Sequence, residues 1–127
     1  MTGWGRVQER VYGTVDVLQK ALIPIISHEK CRDSYDLLGR NITENMLCAG
    51  SKDKDSCKAD SGGPLTCRDR HGTYLCGIVS FGFGCGRENF PGVYTNVSRY
   101  YDWIQRKTEE LRYDFKCMND SLIIVHN

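Results

Sequence analysis

The stretch Asp55-Ser56-Cys57-Lys58-Ala59-Asp60-Ser61-Gly62-Gly63-Pro64-Leu65 sets a serine among small and turn-forming residues, directly after an aspartate. Such a backbone is bent, because Asp, Ser, Gly and Pro are the ordinary residues of turns. A serine hydroxyl becomes a useful nucleophile when it is exposed at a turn, beside a base that takes its proton and N–H groups that hold an oxyanion. Taken alone, the segment reads equally as a polar hairpin turn and as a nucleophile loop.

Outward from it, short runs rich in β-branched and aromatic residues recur between Gly, Pro, Asn and Asp clusters: Val15 to Leu18, Leu22 to Ile26, Tyr74 to Phe81 and Gly92 to Val97. They predict an all-β, antiparallel protein. Ser27 to Tyr35 predicts one short surface helix capped by Ser27, with Glu29 and Lys30 in its first turns. From Ser98 the spacing of Tyr101, Ile104, Gln105, Thr108 and Leu111 predicts a closing helix capped by Ser98, with Tyr101, Ile104 and Leu111 near one stripe. Beyond Arg112 lie Cys117 and the apolar patch Leu122-Ile123-Ile124-Val125, to which the pattern assigns no element.

The chain has 127 residues, room for one modest core, so a single domain or one lobe of a larger one is expected. Its 17 Lys plus Arg against 16 Asp plus Glu give no electrostatic case for nucleic acid or an anionic membrane. The longest apolar run, Ala21 to Ile26, is far short of the roughly 20 residues of a spanning helix. Seven Cys at uneven spacings lack the paired C-x-x-C of a zinc site, and they predict disulfides and an extracellular setting. Asn41-Ile42-Thr43, Asn96-Val97-Ser98 and Asn119-Asp120-Ser121 match the N-glycosylation pattern, which adds weak support. The N-terminus has neither the basic flank nor the apolar core of a signal peptide, so further sequence upstream is expected.

The D-S-G-G-P segment closely resembles the G-D-S-G-G-P nucleophile motif of the chymotrypsin and trypsin family of serine proteases. Thr2-Gly3-Trp4-Gly5, Asn45-Met46-Leu47-Cys48-Ala49-Gly50, Gly77-Ile78-Val79-Ser80-Phe81-Gly82, Pro91-Gly92-Val93-Tyr94-Thr95 and Trp103-Ile104 match in order and spacing. The resemblance covers about residues 2–111. It implies a fold of two six-stranded antiparallel β-barrels with the catalytic cleft between them. This chain would supply the second barrel and the C-terminal α-helix, with residues 1–111 as that lobe and 112–127 as a tail outside the family pattern.

The resemblance also implies roles. Ser61 resembles the nucleophile, and Asp60 the partner of the new N-terminus released by activation cleavage. Asp55 falls where trypsin-like members hold the pocket acid that pairs with a substrate Arg or Lys; the bland alternative is that it closes the solvated run Lys52-Asp53-Lys54-Asp55. Ser56, Ser80, Phe81, Gly82 and Gly92 are implied substrate-binding positions. Gly82 and Gly92 are the pocket-wall glycines, alternatively plain backbone geometry, and Ser80-Phe81-Gly82 is an edge that pairs with extended substrate. Pro91 stands where sodium-regulated members have Tyr, so no monovalent-cation activation is expected, and no metal or organic cofactor is implied. Cys31–Cys48 and Cys57–Cys85 match two family disulfides. The usual partner of Cys67 would lie just upstream of Met1. Cys76 and Cys117 have no general counterpart, which leaves open pairing with one another, pairing of either with Cys67, or none.

Two departures matter. The triad His and Asp belong to the first barrel, and His28, His71 and His126 lack the A-x-H-C context of the catalytic His, so the chain is expected to be inactive alone. Ala59 occupies the position where the family uses Gly to donate an oxyanion N–H. A positive φ there would cost about 1–2 kcal/mol or misdirect the amide, whereas another backbone conformation would tolerate the methyl. The implied function is a secreted trypsin-like endopeptidase acting on protein or peptide substrates after Arg or Lys, with the missing N-terminal lobe as its partner. The alternatives are a noncatalytic homologue that serves as a protein-binding module, and an unstable partial product exposing apolar surface.

Overall fold

A computed structural model describes the backbone of residues 1–122 and the side chains of residues 1–113. The expectations for the side chains of Cys117, the patch from Leu122 to Val125 and His126 lie outside the described residues. Helix α1 spans His28–Asp36, and Ser27 caps it as the sequence predicts, its Oγ accepting from the Lys30 N–H at 3.4 Å. Cys31 and Tyr35, one turn apart, form its buried face. The helix ends toward Gly39, whose φ of 65° lets the Arg40 N–H return to the Tyr35 carbonyl at 3.0 Å.

Seven strands are described: β1 Thr2–Gly3, β2 Gln19–Lys20, β3 Ile25–Ile26, β4 Met46–Ala49, β5 Pro64–Asp69, β6 Gly72–Phe81 and β7 Gly92–Asn96. Five form one antiparallel sheet in the order β3-β4-β7-β6-β5, and β1 and β2 pair separately. The molecule is thus mostly sheet with a C-terminal helix. The pattern misplaced two strands. Val15 to Leu18 is not a strand; pairing begins at Gln19, and Val17 and Leu18 are exposed with no layer to cover them. Leu22 to Ile26 narrows to Ile25–Ile26, because Pro24 has no N–H for a ladder.

Alternation along the strands builds two core clusters. Cys48 and Val93 join Cys31, Tyr35 and Ile42 in one, and the next residues, Ala49 and Tyr94, join Leu65 and Val79 in the other. Two residues apart on β6, Val79 and Phe81 should share a face. They pack instead in different clusters, because the ladder to β7 slips between them and Ser80 is the extra residue of a bulge.

The chain divides into two compact units at Val97 and Ser98. A 3₁₀ turn, Val97–Tyr100, begins at this boundary, and α2 runs Tyr101–Leu122. Ser98 therefore lies inside the 3₁₀ turn and does not cap the α-helix as expected. The helix continues well past Arg112, since neither Gly nor Pro occurs after Gly92 to stop it.

Three disulfides are described: Cys31–Cys48, Cys57–Cys85 and Cys67–Cys76. The first two are those the resemblance implies. The third departs from the usual upstream partner of Cys67, because the β5–β6 hairpin brings Cys76 diagonally across from it. Closing this loop, of sequence separation 9, limits the unfolded chain. Cys76→Ser is expected to cost about 2–3 kcal/mol in urea denaturation, and an unchanged midpoint would count against the bond.

Candidate active site

Ser61 sits in the second of two successive tight turns. The Asp60 N–H donates to the Cys57 carbonyl at 3.1 Å, and the Gly63 N–H to the Asp60 carbonyl at 2.9 Å. The third residue of each turn has positive φ, Ala59 at 75° and Gly62 at 82°. That conformation suits glycine and strains alanine. The departure noted at Ala59 is therefore a strained position.

The turns sort the local donors. The N–H groups of Asp60, Gly62 and Gly63 are all bonded to carbonyls, Gly62 to Val79 at 2.9 Å. Those of Ala59 and Ser61 have no hydrogen-bond acceptor among the described residues. Two N–H donors thus flank an exposed serine. The loop is held to β6 by the Val79 N–H, which donates to the Gly63 carbonyl at 2.9 Å just before the Ser80 bulge.

Asp60 points inward and is 7% exposed. Its Oδ1 accepts from the Gly5 N–H at 2.8 Å and its Oδ2 from the Cys57 N–H at 3.0 Å. A Cβ on Gly3 or Gly5 would collide with this carboxylate, a physical reason for the glycines of the Thr2-Gly3-Trp4-Gly5 motif. A cavity of about 180 Å³ reaches Asp60 past Gly3, Gly5 and Gln19.

Asp55 is partly buried, not part of a solvated run. Its Oδ1 accepts from the Ser56 N–H at 2.7 Å and its Oδ2 from the Gly86 N–H at 3.1 Å. Gly92 lies against it, and a Cβ there would strike Asp55 Oδ1 and come within 3.1 Å of Ser56 Oγ. A Cβ on Gly82 would meet only ordinary contacts, the nearest at 3.5 Å. Burial pushes the Asp55 carboxyl above its usual range, against hydrogen bonds from Gly86 and Ser56 that lower it. Burial likewise pushes the Tyr94 hydroxyl, bonded to Ser56, up to about 12.

Because its folded pKa is raised, Asp55 binds its proton more tightly in the native state than in the unfolded one. Its ionisation therefore lowers stability as pH rises from the ordinary carboxylate range through the folded pKa. Asp55→Asn is expected to raise the urea midpoint near about pH 7 and to have little effect near about pH 3. A midpoint lowered at neutral pH would contradict this.

A cavity of about 340 Å³ is lined by Ser61, Ser56, Ser80, Phe81 and Gly82. Five expected site residues meet there. Asp55 opens instead onto an adjoining cavity of about 370 Å³, and the two share Arg6, Glu9 and the Cys57–Cys85 pair as walls. Gly92 is buried beside Asp55, and Ala59 and Asp60 directly precede Ser61 in the turns.

The pattern did not point to Arg6, Glu9 and Tyr12, which line the Ser61 cavity from a loop far away in sequence. Tyr35 was foreseen only as a helix end. Its hydroxyl donates to the Pro91 carbonyl at 2.8 Å and accepts from the Phe83 N–H at 3.3 Å, tying α1 to the segment after β6. His28 faces Glu44 at 3.4 Å, and His71 accepts from Arg70 at 3.0 Å. Neither is engaged with Ser61.

A serine at a double turn, with two N–H groups beside it and a partly buried carboxylate in the next cavity, is an arrangement that can serve acyl transfer. Residues 1–104 match the Trypsin family model. The chain is 50% identical over 107 residues to Trypsin-1 of Astacus astacus, covering 83% of this chain and 44% of that protein. It is 48% identical over 106 residues to the human hepatocyte growth factor activator serine protease, covering 82% and 16%. With bovine coagulation factor XI it shares 44% identity over 113 residues, covering 86% and 17%. The chain belongs to the trypsin-like serine protease family, and it spans less than half the length of these relatives.

Proposed function

We propose that the chain is the nucleophile-bearing lobe of a secreted endopeptidase that cleaves protein and peptide substrates after Arg or Lys. The observation that carries this reading is Ser61 held at the double turn, with the unbonded N–H groups of Ala59 and Ser61 beside it, on a cavity of about 340 Å³. In the complete enzyme Ser61 Oγ attacks the scissile carbonyl while a His of the other lobe takes its proton, and the two N–H groups stabilise the oxyanion. Asp55 receives the substrate cation through the adjoining cavity, with Ser56, Gly82 and Gly92 shaping its surroundings. Ser80, Phe81 and Gly82 pair with extended substrate backbone. Asp60, on a cavity it shares with Asp55, receives the N-terminus freed by activation.

The lobe covers residues 1–111, with 112–127 as an appended tail. Its five-stranded sheet closes through β1 into a six-stranded barrel, a closure supported by the approach of β1 to β5. The three disulfides support an extracellular setting. Alone, the chain brings no base to Ser61 among the described residues and is inert.

The strained Ala59 favours a second reading, a noncatalytic homologue that binds protein without cutting it. The test pairs this chain with a family N-terminal lobe carrying His and Asp, and offers arginyl, lysyl and leucyl fluorogenic peptides. Turnover of the basic peptides by the pair, with none by the chain alone, is expected. Tight binding without turnover would replace the first reading by the second.

A further inference from the structure

The charges lining the Ser61 cavity do not balance. Glu9 is its acid, and Glu9 is already engaged: Oε1 accepts from Arg87 Nη2 at 2.8 Å and Oε2 from Arg87 Nε at 3.1 Å. That bond holds the Glu9 carboxyl below its usual range. On the same cavity stand Arg6 and Lys58. Arg6 is half-buried, and its guanidinium lies 4.9 Å from the centre of the Tyr12 ring. Among the described residues, no carboxylate forms a salt bridge with Arg6 or Lys58.

The two cations issue from one place. The Arg6 N–H donates to the Lys58 carbonyl at 3.0 Å, which fixes their main chains side by side, and Lys58 lies three residues before Ser61. Asp55, the other acid near Ser61, opens onto the neighbouring cavity. A ligand entering the Ser61 cavity therefore meets two positive charges that nothing in the described residues offsets. A half-buried arginine in that position gains from a carboxylate more than a fully solvated one does.

We propose that this site selects substrates carrying Asp or Glu next to the residue whose carbonyl Ser61 attacks, with that carboxylate paired to Arg6 and Lys58. This rests on the reading of Ser61 as the nucleophile and deepens it. The site demands a basic residue for Asp55 and an acidic neighbour for the Arg6 and Lys58 pair, so its preferred sequence is a basic–acidic step. The Tyr12 ring holds Arg6 in place for this contact.

The experiment uses the 127-residue chain and fluorescein-labelled octapeptides that keep one Arg and place Asp, Asn or Lys on either side of it. Affinity is read by fluorescence anisotropy. At low salt, one of the two Asp peptides is expected to bind about five- to tenfold more tightly than its Asn counterpart, with the ratio shrinking in about 0.5 M NaCl. Lys58→Glu, at an exposed position, is expected to turn the preference toward the Lys peptide, and Arg6→Gln to reduce the Asp/Asn ratio. Equal affinities for Asp and Asn peptides on both sides, or a ratio that survives Lys58→Glu, would overturn the proposal.

Asp55→Asn separates this inference from the function it rests on. It is expected to weaken every Arg peptide alike and to leave the Asp/Asn ratio intact. Absolute affinities unchanged by Asp55→Asn, with the Asp/Asn ratio present, would remove the basic-residue reading and leave the acidic preference standing. No binding by any peptide would overturn both.

Discussion

Asp55→Asn is expected to lower kcat/KM for an arginyl substrate by about 10²- to 10⁴-fold, in the chain paired with a family lobe, while a leucyl substrate is little affected. The carboxylate is already held by the N–H groups of Ser56 and Gly86 and closed in by Gly92, so it is oriented before substrate arrives. Asparagine fills the same space with no charge, leaving a desolvated guanidinium unpaired, a loss of about 3–5 kcal/mol. The same substitution is expected to stabilise the fold at neutral pH, because burial disfavours the ionised carboxylate. Activity and stability thus move in opposite directions. Steady-state kinetics on matched Arg and Leu substrates checks the first. Equal losses on both would show that Asp55 acts on the fold and not on the substrate.

Ala59→Gly is expected to raise kcat by about ten- to a hundredfold with little change in KM. Ala59 sits at φ 75°, where an L residue with a Cβ is strained by about 1–2 kcal/mol. Its N–H is one of the two unbonded donors beside Ser61, and loss of one oxyanion donor lowers turnover by about 10²- to 10³-fold. Glycine relieves the strain and lets that amide aim freely. Overall stability should shift little, since the added flexibility of glycine in the unfolded chain costs about 0.5–1 kcal/mol and offsets most of the relief. Stopped-flow acylation with an arginyl ester measures the effect. An unchanged acylation rate would mean that the alanine amide is already well placed.

How much of this was legible in the sequence depended on how local the cause was. Helix α1 and its Ser27 cap were readable because a cap is a contact within four residues. The loop around Ser61 was readable because its turns need Gly, and Ala59 drew notice because it broke that need. Val15 to Leu18 looked like a strand but lacks a covering layer, which no local pattern records. Cys67–Cys76 depends on the register of the β5–β6 hairpin, and spacing left that pairing open. Glycines 3 and 5 were readable as a motif, yet their reason, the Asp60 carboxylate packed against their backbone, exists only in three dimensions. Arg6, Glu9 and Tyr12 reach the Ser61 cavity by folding of the loop between β1 and β2, and nothing local to them announces it.

The most direct measurement is to expose the lobe-paired chain to an arginyl fluorophosphonate and locate the adduct by peptide mass spectrometry. A single adduct on Ser61 is expected, formed much more slowly in Asp55→Asn and not at all in the unpaired chain. An adduct on another residue, or labelling of Ser61 at a rate indifferent to Asp55, would contradict it.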